Sequence, residues 1–121
     1  MKITAIQTKY GVIYGREALQ IQDLKLSVYP MTLEVSTKLS SSFCRPKIVT
    51  KGEDEIDLLF RFTSIQALEV YLYEEFSYEK DIQSAFSKTR VSDSNEFEKY
   101  VLCTYDHVFV VTGNYEIIYH K

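Results

Sequence analysis

The residues of this chain with the greatest chemical reach are its two thiols and the groups beside them. Cys44 adjoins Arg45, and Cys103 precedes Asp106-His107 by three residues. A neighbouring guanidinium would favour the Cys44 thiolate. Nucleophilic catalysis also needs a base and a third group that orients it, and the only imidazoles are His107 and His120. A metal would need three or four ligands in fixed geometry. Cys103, Asp106 and His107 match no recurring ligand spacing, because Cys103 falls on a strand-like alternation while the other two sit at its break. No catalytic residue, metal or cofactor is assigned, and the chain reads as a non-enzyme.

Carboxylates cluster at Glu53-Asp54-Glu55…Asp57 and at Glu74, Glu75 and Glu79. Paired carboxylates can act as acid and base when burial separates their pKa values, but these runs adjoin loop residues and are explained by solvated strand ends. The first run lacks the glycine and closing Glu of a calcium loop. Gly11-Val12-Ile13-Tyr14-Gly15 is followed by no Gly-Lys-Ser/Thr and reads as a turn, not a phosphate loop. Lys38, Arg45, Lys47 and Lys51 around Phe43 form the only basic patch with an aromatic inside it. Four such charges on an acidic chain argue against nucleic acid.

The remaining candidate is a tyrosine-carboxylate stripe. If Leu68, Val70 and Leu72 face the core of a strand, then Glu69, Tyr71, Tyr73 and Glu75 face the other way, with Glu74 beside them. Tyrosine is stiff, amphipathic and enriched at protein interfaces. Glu69, Tyr71, Tyr73, Glu74 and Glu75 are therefore the expected partner-binding residues. The competing assignment for the same rings is a second core face.

The elements that would position these groups are strands. Lys99 to His120 reads as a three-strand meander: Tyr100 to Tyr105, then Val108 to Val111, then Tyr115 to Tyr119, with turns at Asp106-His107 and Thr112-Gly113-Asn114. Period-two alternation rich in β-branched and aromatic residues is the pattern of half-buried antiparallel strands. Upstream, Ile3 to Tyr10 and Val12 to Tyr14 read as a first strand pair or a bent strand, with Gly11 and Gly15 at the bends. Leu24, Leu26 and Val28 alternate with polar residues, as do Met31, Leu33 and Val35, and Pro30 between them implies an edge or a kink. Residues 40–55 read as a connection, with a brief strand at Ile48-Val49. Ile56 to Phe62 is a central strand. Ser64 to Phe76 fits a helix striped by Ile65, Leu68, Leu72 and Phe76, or a strand, and its Val-Tyr-Leu-Tyr composition favours the strand. A short helix is expected over 78–86, capped by Ser77, followed by a loop to Glu96.

Composition bounds the rest. One domain of 121 residues, 45% hydrophobic and 26% charged, buries a sizeable core. Ten Tyr and seven Phe with no Trp suit sheet faces. Two cysteines are too few for a disulfide scaffold, and the first residues lack the apolar run of a signal peptide, so a cytoplasmic protein with reduced thiols and no membrane association is expected. Residues 1–52 hold eight Lys/Arg and three Asp/Glu, a balance of +5, whereas residues 53–121 hold six and fourteen, a balance of −8. The simplest account is that the halves interleave in one sheet and opposite charges meet across strands.

Residues 56–120 resemble small bacterial β-rich domains of unknown function, some of which neighbour toxin–immunity systems. The residues concerned are Leu58-Leu59-Phe60-Arg61-Phe62, Leu68-Glu69-Val70-Tyr71, the loop with Ser87, Thr89, Ser92 and Ser94, and Tyr100-Val101-Leu102 with Tyr115-Glu116-Ile117-Ile118. The resemblance implies a β fold and a binding role. The expected fold is all-β or β-dominated α+β: an antiparallel sandwich, roll or partly closed barrel of about seven or eight strands with at most one short helix. The expected function is a protein-binding module, of immunity or accessory type, that meets a protein partner or a copy of itself through an acidic, tyrosine-bearing surface. The alternative is a carrier that holds a small molecule inside a β-barrel.

Overall fold

A computed structural model describes residues 2–9, 11–15, 18–40, 44–45, 55–72, 84–90 and 98–119. Its strands are β1 (Lys2–Ala5), β2 (Gln7–Thr8), β3 (Gly11–Ile13), β4 (Leu19–Val28), β5 (Met31–Ser40), β6 (Cys44–Arg45), β7 (Glu55–Leu72), β8 (Phe86–Arg90), β9 (Glu98–Cys103) and β10 (His107–Tyr119). Seven of them form one sheet in the order β1-β8-β9-β10-β7-β5-β4, and β2-β3-β6 form a second. Every ladder is antiparallel. The β-dominated class is as expected, and the sheet does not close into a barrel. The strand number exceeds seven or eight because β2, β3 and β6 are only two or three residues long, too short to show an alternation.

β5 illustrates why these residues form strands. Leu33, Val35, Thr37 and Leu39 are buried and alternate with partly exposed polar residues. They lie opposite Phe62, Phe60, Leu58 and Ile56 of β7, and the Thr37 hydroxyl donates to the Leu58 carbonyl at 3.0 Å. The same face continues through Phe109 and Val111 of β10 to Tyr100 and Leu102 of β9 and Phe86 of β8. Phe86 is the hub, 5.2 Å from the Phe60 ring and 5.1 Å from that of Tyr115. Ile6, Ile13 and Ala18, in and beside the small sheet, complete this core. The opposite face splits in two. Under β9 and the start of β10 it carries a second buried cluster of Val101, Cys103, Val108 and Val110, with Tyr71 packed against it. Farther along it is polar, with Glu34 and Glu116 on either side of Arg61 at 2.8 and 3.8 Å. The halves of the chain do interleave here, but Glu34 is an acid of the basic half and Arg61 a base of the acidic one, so this cluster is not the expected meeting of the halves' net charges.

Several sequence expectations are corrected. Thr112-Gly113-Asn114 is no turn: β10 runs straight through it, with a register shift between Thr112 and Asn114. Gly113 is required because a Cβ there would lie 2.9 Å from the backbone oxygens of Thr63 and Ser64. In a strand, glycine marks a close backbone approach as readily as a turn. On the facing strand Ser64 takes a positive φ of 50° and absorbs the extra residues as a bulge. The two strands expected on either side of residue 63 are therefore one, β7, and only residues 73–76 of the second lie outside the described set. Ser84 to Phe86 are not helical: Ser84 bridges Tyr14 and Phe86 opens β8. The remaining expected helix residues, 77–83, lie outside the described residues. Ser87 to Arg90 form β8 rather than a loop; Ser87 and Thr89 are buried, so hydroxyl content misleads about exposure here. Residues 44–45 pair with β3, whereas Ile48-Val49 lie outside the described set. Tyr29-Pro30, joined by a cis peptide, forms the turn between β4 and β5.

Candidate functional site

Of the expected tyrosine-carboxylate stripe, Glu69 and Tyr71 are among the described residues. Glu69 and Tyr71 share a face, and the Tyr71 hydroxyl donates to the Glu69 carboxylate at 2.5 Å. That face is the one carrying the second buried cluster, and Tyr71 is half-buried against it. This matches the second-core-face assignment for Tyr71, while Glu69 is exposed. Tyr73, Glu74 and Glu75 lie outside the described residues. Val70 and Leu72 do point to the side of Phe109, as expected for inward residues. They remain half-exposed, because β5 stops pairing with β7 at Phe62 and β7 continues beyond it.

Of the thiols and imidazoles, the side chains of Cys103 and His107 are described; that of Cys44 and the whole of His120 lie outside the described set. Cys103 is a free, buried thiol, and burial pushes its pKa up to about 11, the reverse of nucleophile activation. Asp106 is exposed on the β9–β10 turn. His107 stacks near Phe109 with ring centroids 6.2 Å apart, and its Nδ1 is buried without a hydrogen-bond partner among the described residues. No group of three His, Cys, Asp or Glu among the described residues could hold a metal ion. The phenols of Tyr100 and Tyr115 both titrate high. Burial is the main cause, followed for Tyr100 by the Glu98 carboxylate and for Tyr115 by Tyr119. A shallow, open groove of about 550 Å³ lies on the polar face, lined by Gln22, Ser36, Lys38, Asp57 and Leu59 among others; its walls are solvated side chains rather than an enclosing apolar pocket.

The most unusual surface is the outer edge of β4. Leu19 is buried and Ile21 half-buried, but every residue from Gln22 to Val28 is exposed. Leu24 and Leu26 lie opposite the buried Val35 and Leu33, so the apolar row of the core runs outward to the sheet edge and stops there uncovered. Exposure rises along it: Leu24 45%, Leu26 54%, Val28 75%, and Tyr29 at the turn 95%. Met31 continues the row across the turn. β4 is a terminal strand of the seven-stranded sheet; at its start the Leu19 carbonyl accepts from the Tyr105 N–H at 2.9 Å, and beyond that its outer side has no ladder partner among the described residues. An uncovered apolar edge strand is a template for pairing with another chain, and contiguous exposed apolar surface marks interaction sites.

Sequence reasoning read Leu24, Leu26 and Val28 as one side of a strand and did not single them out as surface residues. The available signal was Pro30, which implied an edge or a kink; β4 is the edge, and Pro30 sits in its turn. Comparison with known proteins finds no matching family model, curated protein or solved structure. No helix among the described residues is long and apolar enough to cross a membrane.

Proposed function

We propose that this chain is a protein-interaction module whose contact surface is the outer edge of β4 and the tip of the β4–β5 hairpin. The observation that carries this reading is the exposed row of Leu24, Leu26 and Val28 on β4, continued by Tyr29 in the turn and Met31 on β5, along an edge that from Gln20 onward has no ladder partner among the described residues. Each of these side chains gains by leaving water, on the order of 1 kcal/mol or more when fully covered. The outward amides and carbonyls of β4 add directional hydrogen bonds to a docked strand. This surface supports binding better than the Glu69–Tyr71 pair does, since Tyr71 already packs within the chain.

Retention of proteins from a native lysate on the immobilised chain, compared with the Leu26→Lys variant, tests the reading. Leu26 is exposed on an edge strand, so the variant is expected to melt at the wild-type temperature while losing a specifically retained protein or a self-assembled state. A variant that changes neither retention nor assembly would refute the assignment.

A further inference from the structure

We infer that the occupant of the β4 edge is a second copy of this chain, paired antiparallel about a twofold axis that passes Leu24. This inference rests on the interaction reading above and names its partner. The argument is the self-complementarity of β4 from Gln20 to Ser27. β4 carries a register shift between Ile21 and Asp23, so Gln22 is an extra residue. Ile21 pairs with the buried Thr37, and Asp23 with Ser36 on the polar side. With Leu24 on the axis, Leu24 meets its own copy, and Leu26 meets Ile21 of the second copy twice over. Ser27 then meets Gln20 of the second copy; the pairing stops there, because Leu19 is buried and its carbonyl accepts from the Tyr105 N–H at 2.9 Å. Apolar residues oppose apolar ones and polar residues oppose polar ones from Gln20 to Ser27.

Charge selects this register over its neighbours. With Leu24 on the axis, Asp23 faces Lys25 of the second copy, and the symmetric pair repeats it. Moving the axis to Asp23 or to Lys25 sets like charges opposite each other, which is destabilising. Moving it to Leu26 sets Lys25 opposite Ser27 and loses both ion pairs. Within the chain, Lys25 lies opposite Glu34, but the Glu34 carboxylate is bound to Arg61 at 2.8 Å. Neither Asp23 nor Lys25 makes an ion pair among the described residues. Across the polar face the signs alternate through Glu116, Arg61, Glu34 and Lys25. Asp23 of a second copy is the next charge that this series requires. The resulting assembly is a continuous fourteen-stranded sheet, made of two seven-stranded halves, in which Leu24 and Leu26 of each β4 lie against the other.

The test is a charge swap read by light scattering behind size-exclusion chromatography across a concentration series. The wild type is expected to dimerise reversibly. Asp23→Lys and Lys25→Asp each place like charges across the axis and should raise the dimer dissociation constant roughly 10- to 100-fold. The double variant D23K/K25D restores opposite charges and should return it to near the wild-type value. Circular dichroism confirms that each variant keeps its fold. Should the charge variants prove unstable, L24C in a C44S background gives a second readout. On the axis it should form a disulfide-linked dimer under mild oxidation, and V28C should not. A wild type that stays monomeric at all concentrations overturns the inference, as does a dimer indifferent to single charge reversal. If the monomer still retains another protein through Leu26, the interaction reading survives and only its partner is wrong; if retention is also lost, both fall.

Discussion

Gly113→Ala is the sharpest test of how the long strands β7 and β10 are built. An added Cβ would lie 2.9 Å from the carbonyl oxygens of Thr63 and Ser64 and 3.1 Å from the Ile65 Cα, where ordinary contact begins at 3.4 Å. Both oxygens must retreat by about 0.5 Å, from 2.9 Å to the ordinary limit of 3.4 Å. They belong to backbone, so no side-chain rotation relieves the overlap. Overpacking of this kind costs about 1–3 kcal/mol, and with two fixed obstacles we expect the upper end. For a domain of this size that lowers Tm by roughly 10 °C. Gly15→Ala is the control: φ is +83° but nothing lies within 4 Å, so only the backbone conformation is strained, at about 1–2 kcal/mol. Ser64→Gly removes a positive-φ side chain on the opposite strand and should leave Tm unchanged or slightly raised, since relief of that strain offsets the added chain entropy. Thermal unfolding followed by circular dichroism measures all three. A Gly113→Ala protein that melts no lower than Gly15→Ala would refute the close approach and restore a surface turn at Thr112-Gly113-Asn114.

Two further outcomes follow from the core. Phe86→Ala removes the ring that touches Phe60, Phe62, Tyr100 and Tyr115, and should cost about 3–5 kcal/mol in urea unfolding; a loss under 1 kcal/mol would contradict its place as hub. Burial raises the Cys103 thiol from its ordinary 9.0 to about 11, so the folded state favours the neutral form. That contribution is fully present below pH 9 and is lost as pH rises toward 11. The urea midpoint should fall across this window, and Cys103→Ala should flatten the fall; an identical slope in the variant would show that Cys103 is not its source. Tyr100, raised to about 12 by burial first and Glu98 second, acts in the same direction at still higher pH.

Much of the sheet was legible because its strands obey a period of two. Leu33 and Val35 of β5, the run from Ile56 to Phe62 and the alternation from Tyr100 to Cys103 all lie where the pattern placed them. Errors arose where one residue type serves two purposes. Gly113 looked like a turn but permits backbone contact inside a strand. Ser87 and Thr89 looked like loop residues but are buried in β8. The candidate surface was illegible for a related reason. Leu24 and Leu33 sit in equivalent alternations, yet Leu33 is covered and Leu24 is not.

The order of apolar and polar residues along this chain, by itself, determined that it forms antiparallel strands and which side chains share a face, because pleating makes alternation a local property. Which strand ends the sheet, and so which apolar face stays wet, was decided only by tertiary structure. Coverage depends on neighbours brought from distant positions: β7 shields β5, whereas β4 has a neighbour on one side alone. The same long-range pairing set Asp23 and Lys25 at an open edge and committed the Glu34 carboxylate to Arg61.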